Sequence, residues 1–145
     1  MLKTASDQER AYYEGRLYPL QDGLLEQVPT DRLYLTGGTC LSRFYYHHRY
    51  SDDLDFFYDG HRFPQDEFVG VVREYLSALA RDWKMEMLNA GDQFIRAIVH
   101  DGDLTLKLEF VYEGFPTIGE RIRSGRFLID TREKIELLDH AARRR

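Results

Sequence analysis

A pair of glycines followed closely by two aspartates constrains this chain more than any other feature. Gly37 and Gly38 stand between a short apolar segment and a helical pattern, and Asp53 and Asp55 flank Leu54 where the next apolar segment begins. Glycines let the backbone come close to a phosphate at a helix N-terminus, where unpaired N–H groups and the helix dipole favour an anion. Carboxylates supply the hard oxygen ligands that Mg²⁺ prefers. The combination predicts a site for a metal-bound nucleotide.

The spacing of the two aspartates adds to this prediction. Side chains alternate along a strand, so Asp53 and Asp55 share one face while Leu54 and Phe56 point into the core. Two acids at this spacing repel each other unless a cation neutralises them. An Asp-Leu-Asp sequence by itself is more often a solvated strand end or a turn cap, but the Gly-Gly-Thr that precedes it makes the pattern more specific.

Length and composition limit the alternatives. The 145 residues, 43% hydrophobic and 31% charged, suit one soluble globular domain with a real core rather than a disordered chain. The polar N-terminus lacks the apolar stretch of a signal peptide, no run approaches a membrane span, and the single Cys40 has no partner for an internal disulfide. We therefore expect a cytoplasmic protein.

The charge is unevenly distributed. A formal net charge of −5 argues against a general nucleic-acid-binding surface. The C-terminal part is nevertheless rich in basic residues, and we expect it to carry the candidate basic surface. Its members are Arg121, Arg123, Arg126, Arg132, Lys134, Arg143, Arg144 and Arg145. A solvated helical face is the alternative interpretation.

The hydrophobic pattern predicts an α/β (α+β) fold in which flanking helices cover a mixed sheet. Two short covering helices are expected over 6–27, with breaks at Pro19 and Gly23, followed by a core over 32–130 and a C-terminal helix over 131–145. A helix is predicted after Gly38, ending near His47 and His48, and another over 66–81. The predicted strands are 33–35, 54–58, 84–88, 94–100, 104–112 and 127–129. All of these elements fit a single domain, 1–145.

The motif residues resemble a known family. Residues 35–41 match the pattern Leu-Thr-Gly-Gly-Thr-x-Leu, and residues 48–57 match His-Arg-x-Ser-x-Asp-hydrophobic-Asp-hydrophobic-hydrophobic without a gap. Both patterns are typical of the polymerase-beta-like nucleotidyltransferase superfamily, and within it of the AbiEii/AbiGii toxin group. The resemblance implies the polymerase-beta-like fold.

The resemblance also implies a chemistry. Gly37, Gly38 and Thr39 would hold the phosphates of a nucleoside triphosphate (NTP), and Asp53 and Asp55 would bind catalytic Mg²⁺ (or Mn²⁺). Such enzymes transfer a nucleoside monophosphate to a hydroxyl and release pyrophosphate. Two metal ions would orient the attacking hydroxyl and stabilise the charge on the α-phosphate and the leaving group.

A third carboxylate on a neighbouring strand usually completes such a site. Glu109 is the candidate, because it lies on the polar face of the strand predicted over 104–112. It would bind metal or act as general base, and Lys107 on the same face would contact a phosphate or offset the carboxylates. The alternative is that both are exposed on the solvent side of an antiparallel sheet.

Three further residues follow from the family pattern. Arg49 is expected to contact the triphosphate and Ser51 to fix the loop with its hydroxyl, although Arg49 is equally compatible with a structural pair to Asp52. Lys134 matches a lysine in the family's C-terminal helix and is a candidate catalytic residue. The family pattern continues into an Arg-Asp-x-x-Asp segment, which this sequence does not contain. His47 and His48 are expected to be helix C-terminal residues without a metal role.

The function implied is that of a toxin in a bacterial toxin–antitoxin or phage-defence (abortive infection) system. Its acceptor would be a tRNA or other RNA end, or a protein hydroxyl, and a cognate antitoxin would be its partner. Two alternatives stay open. One is a non-catalytic nucleotide-binding or interaction module of the same fold, and the other is a nucleotidyltransferase that modifies a small molecule such as an antibiotic.

Overall fold

A computed structural model describes residues 6–47, 49–116 and 119–143, with side chains through residue 138. Its helices are α1 (Asp7–Tyr12), α2 (Tyr18–Leu25), α3 (Gly37–Cys40), α4 (Phe68–Leu79) and α5 (Arg132–Arg143). Its strands are β1 (Leu33–Thr36), β2 (Leu54–Asp59), β3 (Lys84–Ala90), β4 (Phe94–Asp101), β5 (Leu104–Glu113), β6 (Ile122–Ser124) and β7 (Phe127–Ile129). No helix among the described residues is long and apolar enough to cross a membrane.

The seven strands form one mixed sheet in the order β3-β4-β5-β2-β1-β7-β6. The β2–β5 and β1–β7 pairs are parallel, and the β1–β2, β3–β4, β4–β5 and β6–β7 pairs are antiparallel. This confirms the predicted mixed sheet with flanking helices. Strand β6 was not predicted, since its three residues are mostly exposed and carry no alternating apolar pattern.

One face of the sheet is covered by α2 and α4 and forms the core. Phe56 on β2 stacks against Phe110 on β5, and Tyr75 on α4 packs edge-on against both rings. The Tyr75 hydroxyl donates a 2.6 Å hydrogen bond to the Leu24 carbonyl of α2, which ties the two helices together. All of these aromatic side chains are buried. The core thus fixes β2 and β5 side by side.

The N-terminal helices differ from the prediction. Ser6 caps α1 through a reciprocal capping box with Glu9, and a π-helical turn, Tyr13–Leu17, joins α1 to α2. The predicted break at Pro19 is wrong, because Pro19 lies in the first turn of α2, where a proline costs little. Gly23 likewise lies inside α2 rather than at a break.

The helical segment after β1 is also irregular. Helix α3 passes directly into a second π-helical turn, Leu41–Tyr46. His47 follows in the left-handed conformation with φ +53°, which ends the segment as predicted. His48 lies outside the described residues. On the second face of the sheet, α5 packs over β1 and β2, and this is the face that carries the candidate site.

Candidate active site

The strand register brings two of the predicted acids together. Asp55 on β2 is the direct neighbour of Glu109 on the parallel strand β5, and of Thr36 on β1. Side chains alternate, so these residues face away from the core side chains Phe56 and Phe110. Asp53 immediately precedes β2 rather than lying within it. It still reaches the same surface, because the Lys107 ammonium lies 3.3 Å from Asp53 Oδ2 and 3.2 Å from Glu109 Oε1.

The electrostatics of this cluster favour a cation. The pKa of Asp55 is raised to about 6, mainly by burial and also by the nearby charges of Glu109 and Asp53, while Lys107 opposes the shift. The Arg96 guanidinium approaches Glu109 from β4 at 3.5 Å. Negative charge is therefore concentrated at Asp55, where the two neighbouring cations compensate it only in part.

The glycine turn packs directly against the Asp55 carboxylate. Gly37 has φ +79°, a conformation that side chains disfavour, and a Cβ at this position would lie 2.4 Å from Asp55 Oδ2. A Cβ on Gly38 would lie 2.9 Å from Nη2 of Arg49. The turn backbone, the guanidinium and the aspartate thus meet with no room for a larger residue.

Thr39 and Ser51 hold the loop that leads into β2. The buried Thr39 hydroxyl donates a hydrogen bond to the Asp53 carbonyl and lies 2.7 Å from the Ser51 hydroxyl. The Thr39 side chain therefore faces this loop, where it sets the position of Asp53. The Ser51 backbone N–H also donates to the Tyr18 hydroxyl at 3.1 Å, so Ser51 is held through both its side chain and its backbone.

Gln21 is a residue that sequence reasoning missed. It is fully buried, and its side-chain amide donates to the carbonyls of Asp52 at 2.9 Å and Ser51 at 3.3 Å. Its side-chain oxygen accepts a hydrogen bond from Arg43 at 3.0 Å. The signal was present, because Gln21 is a polar residue on the apolar face of α2 between Leu20 and Leu24.

A pocket of about 310 Å³ opens beside the acids. Its polar side is formed by Gly37, Gly38, Arg49, Asp55 and Glu109. Its apolar side is formed by Leu41, Phe57, Val111, Ile135 and Leu138. Helix α5 contributes the last two of these, so the C-terminal helix closes the pocket. The apolar side could not be read from the sequence, because it depends on where α5 docks.

Lys134 lies behind this apolar side. It is buried, its ammonium donates a 2.8 Å hydrogen bond to the Tyr34 hydroxyl, and it lies 4.0 Å from Asp130 Oδ2. Its Nζ also lies 4.8 Å from the centre of the Phe57 ring. Burial lowers the pKa of Lys134, and the carboxylate of Asp130 opposes that shift. The structure thus places Lys134 with Tyr34 and Asp130 rather than with the three acids.

The predicted basic surface is not formed as expected. The Arg121 side chain is 7% exposed, pairs with Asp59 at 2.9 Å and lies over the Tyr34 ring, and Lys134 is buried as described. Arg123 pairs with Asp31. Including Arg121 and Lys134 in an exposed surface was therefore wrong, because both side chains are buried beside carboxylates, Asp59 and Asp130. Arg144 and Arg145 lie outside the described residues.

The carboxylates of Asp53, Asp55 and Glu109 are the type of ligand that Mg²⁺ binds, although they do not converge on a single metal position. Within the described residues, no three His, Cys, Asp or Glu side chains converge as a formed metal-binding cluster. Asp53 and Glu109 are instead bridged by Lys107. Three carboxylates on one surface nevertheless provide the hard oxygen ligands that Mg²⁺ requires, with Asp55 in the middle. A bound cation would have to take the place of the lysine ammonium.

Comparison with known families identifies the family to which this chain belongs. A family model described as the nucleotidyl transferase AbiEii toxin of type IV toxin–antitoxin (TA) systems matches residues 20–136. This chain belongs to the AbiEii family. The matched region contains the glycine turn, the three acids and Lys134, so it spans the candidate site of this AbiEii member apart from Leu138. The predicted family resemblance is confirmed.

Solved structures agree with the AbiEii fold. The chain superimposes on JHP933 from Helicobacter pylori with a TM-score of 0.63 and 22% identity, covering 91% of this chain and 56% of that protein. It superimposes on MenT4, a nucleotidyltransferase toxin from Mycobacterium tuberculosis H37Rv, with a TM-score of 0.50 and 20% identity, covering 88% and 49%. The chain therefore spans about half the length of these proteins. No curated protein sequence matches it.

Proposed function

We propose that this chain is a Mg²⁺-dependent nucleotidyltransferase that transfers a nucleoside monophosphate from an NTP to a hydroxyl acceptor, as a toxin. The observation that carries the proposal is the position of Asp55. It lies beside Glu109, against the Gly37 turn and next to a pocket of nucleotide size, in a chain of the AbiEii family.

The two sides of the pocket suit the two ends of a nucleotide. Gly37 and Gly38 line the pocket without side chains, and the Arg49 guanidinium beside Gly38 supplies the charge for a triphosphate. The apolar side around Phe57 and Ile135 suits a nucleobase. Arg49 has no Asp52 ion pair within the described part of the chain, and this favours its phosphate role over the structural alternative.

Asp53, Asp55 and Glu109 would hold the metal. Bound Mg²⁺, or Mn²⁺, supplies charge stabilisation at the α-phosphate and at the departing pyrophosphate. Lys107 would then be released from its bridge between Asp53 and Glu109, and its ammonium would be available to a phosphate oxygen. Thr39 and Ser51 fix the loop before β2 and thereby hold Asp53 in position beside Asp55.

The transfer step follows from this arrangement. The acceptor oxygen attacks the α-phosphorus, the bond between that phosphorus and the bridging oxygen of pyrophosphate breaks, and the electron pair leaves with pyrophosphate. Glu109, at the edge of the cluster and 21% exposed, accepts the acceptor's proton. Lys134 acts from behind the Phe57 wall and supports the pocket rather than touching the reacting atoms.

The biological setting follows from the family. Type IV toxin–antitoxin membership supports a cognate antitoxin as partner. The proposal extends to a role in phage defence by abortive infection. The acceptor would be an RNA end, such as that of a tRNA, or a protein hydroxyl. Both acceptors and NTPs are cytoplasmic, so we place the protein in the cytoplasm.

A non-catalytic binding module is the second candidate, and one observation favours it. The Lys107 ammonium already neutralises part of the charge of Asp53 and Glu109. A protein that never binds metal would retain these two ion pairs. A small-molecule acceptor would instead need an acidic acceptor cleft. Product formation separates all three candidates, because the binding module forms none and the other two label different acceptors.

Isothermal titration calorimetry tests the binding half of the proposal. Each of the four NTPs is titrated into the protein with and without Mg²⁺, and into the variants Asp55→Asn and Asp66→Asn. Asp66 is exposed in the turn before α4 and serves as the matched control. We expect Mg²⁺-dependent binding that Asp55→Asn weakens and Asp66→Asn does not. Absence of nucleotide binding by the wild-type protein would refute the proposal.

A further inference from the structure

Asp53 and Asp55 are held in the fold by different means. Asp55 lies within β2, where pairing with Thr36 on β1 and Glu109 on β5 fixes its backbone from both sides. Asp53 lies before β2, at the end of a loop, residues 50–53, that contains no helix or strand. We call this segment the aspartate loop. The Asp53 side chain is 43% exposed, so the position of its carboxylate depends on what holds the backbone of this loop.

Gln21 of α2 fixes the backbone on one side of Asp53. Its side-chain amide donates to the Asp52 carbonyl at 2.9 Å, and that carbonyl belongs to the peptide group that joins Asp52 to Asp53. On the other side, the Thr39 hydroxyl donates to the carbonyl of Asp53 itself. Because each peptide group is planar, holding these two carbonyls restricts both φ and ψ of Asp53. The two planes set the direction in which the Asp53 side chain leaves the backbone.

The Gln21 amide is itself held in one orientation. Its oxygen accepts a 3.0 Å hydrogen bond from Arg43, and a guanidinium can only donate, so the amide nitrogen faces the aspartate loop. There the nitrogen also donates to the Ser51 carbonyl at 3.3 Å. Arg43 is fixed in turn by Asp22 at 2.8 Å and lies over the Tyr18 ring. Gln21 therefore connects α2, the π-helical turn after α3 and the aspartate loop.

Two tyrosines hold the start of the same loop. The Tyr18 hydroxyl accepts a 3.1 Å hydrogen bond from the backbone N–H of Ser51. The Tyr13 ring stacks on the Tyr50 ring, with 4.4 Å between the ring centres and 6° between the planes. Together with the contacts of Gln21, these interactions hold residues 50–52 from the N-terminal helical segment. The backbone that leads into Asp53 is thus fixed from outside the sheet.

The burial of Gln21 indicates how much depends on these contacts. A fully buried amide on the apolar face of α2 costs free energy unless it is hydrogen-bonded. An apolar residue would complete this face, but it would leave the Ser51 and Asp52 carbonyls without their donor. A purely structural role for Gln21 is the alternative. Such a role would change the stability of the fold but not the metal affinity of the folded protein.

We propose that Gln21, together with the Tyr18 hydroxyl, is a positioning residue that holds Asp53 for metal binding. This role rests on the proposed function, because it requires that Asp53 binds the metal. Side chains that orient a metal ligand affect metal affinity without touching the ion. When the amide of Gln21 is lost, the aspartate loop gains freedom and Asp53 leaves the surface that it shares with Asp55. Asp55 itself stays in place, because β1 and β5 hold it.

Metal affinity in a double-mutant cycle tests this role. Electron paramagnetic resonance measures Mn²⁺ binding to the wild-type protein, Gln21→Met, Asp53→Asn and the double variant, and thermal denaturation establishes that each is folded. Gln27→Met is the matched control, because the Gln27 amide donates to Asp82 at 3.1 Å, away from the loop. We expect Gln21→Met to weaken Mn²⁺ binding about tenfold and Gln27→Met to leave it unchanged. The double variant should bind within about twofold of Asp53→Asn alone, because Gln21 acts through Asp53.

Each result separates the positioning role from the proposed function. Unchanged Mn²⁺ affinity in folded Gln21→Met overturns the inference, and so does a double variant about tenfold weaker than Asp53→Asn, since the two effects would then be independent. Both results leave the proposed function intact. If the wild-type protein binds no Mn²⁺, or if Asp53→Asn leaves the affinity unchanged, the proposed metal site fails and the positioning role fails with it.

A second variant keeps the test decisive if Gln21→Met does not fold. Tyr18→Phe keeps the ring under Arg43 and removes only the hydroxyl that accepts from Ser51. We expect it to weaken Mn²⁺ binding about threefold, in line with the loss of one hydrogen bond. Wild-type Mn²⁺ affinity in Tyr18→Phe would then overturn the inference.

Discussion

Asp55 and Glu109 are direct neighbours on the parallel strands β2 and β5, and the buried pair Phe56 and Phe110 stacks on the other side of the same strands. The core thereby fixes the distance between the two acids. Two carboxylates held together in a partly buried position destabilise the fold unless a cation or a proton joins them.

Ionisation of Asp55 should lower stability in the absence of metal. Its pKa rises from the ordinary value of 3.8 to about 6, so between these values the folded protein holds a proton that the unfolded chain has lost. The free energy of unfolding therefore falls as the pH rises from about 4 to 6, on the order of 1–3 kcal/mol for this group. Asp55→Asn should be more stable than the wild-type protein at pH 7.5 and lose this advantage at pH 4.

Urea denaturation in EDTA at both pH values measures the difference. Asp66→Asn, at an exposed aspartate, controls for the general effect of pH. An Asp55→Asn variant that is less stable than the wild-type protein at pH 7.5 would contradict the prediction.

Gly37 should not tolerate alanine. An added Cβ would meet Asp55 Oδ2 at 2.4 Å, and the φ of +79° adds backbone strain. We expect Gly37→Ala to lose more than about 1 kcal/mol of stability and to weaken NTP binding. Gly70→Ala is the matched control, because Gly70 lies inside α4 with open space around it and should gain about 0.5–1 kcal/mol. Thermal denaturation of both variants gives the comparison, and equal melting temperatures would be inconsistent with it.

Lys134 should contribute more to the stability of the fold than to the transfer reaction. Lys134→Met removes the cation beside Asp130, whose carboxylate is fully buried and keeps hydrogen bonds from Thr36 and the Thr131 backbone. Breaking a buried pair from one side costs about 3 kcal/mol or more. The double variant Lys134→Met/Asp130→Asn should recover part of that loss in chemical denaturation. If Lys134→Met keeps wild-type stability and loses only product formation, the lysine is catalytic, as the family pattern implied.

Lys107 should compete with the metal. Its ammonium lies within 3.3 Å of both Asp53 and Glu109, in the position that a bound cation requires. We expect Lys107→Met to bind Mn²⁺ several-fold more tightly than the wild-type protein in the absence of nucleotide, as measured by electron paramagnetic resonance. Lys84→Met, at an exposed lysine of the same sheet, controls for the loss of general positive charge. Weaker Mn²⁺ binding in Lys107→Met would mean that the lysine supports the metal site.

The sequence predicted the features that depend only on the spacing of neighbouring residues. The Gly-Gly turn and the alternation around Asp55 and Glu109 required only strand periodicity and a short motif. The apolar side of the pocket required the docking of α5, which brings Ile135 and Leu138 to Phe57 across the fold. Burial of Arg121 was not foreseen for the same reason, because its partner Asp59 is 62 positions away. Periodicity shows which face a residue occupies but does not identify the distant residue it will meet.

The N-terminal helices illustrate a different limit. Pro19 and Gly23 are ordinary signals for a break, yet the π-helical turn Tyr13–Leu17 carries the chain into α2 without one. The buried Leu20, Leu24 and Leu25 hold this helix against the core. Tertiary packing therefore outweighed the low helix propensity of Gly23, whereas Pro19 is compatible with the first turn of a helix.

Transfer of a labelled nucleotide tests the central claim most directly. The wild-type protein, Asp55→Asn and Asp66→Asn are incubated with Mg²⁺, each α-³²P-labelled NTP and total bacterial RNA, and the RNA and protein fractions are separated. The account predicts labelled RNA with the wild-type protein and with Asp66→Asn, and none with Asp55→Asn. Equal labelling by the wild-type protein and Asp55→Asn, or labelling of neither RNA nor protein by the wild-type protein with any NTP, would contradict it.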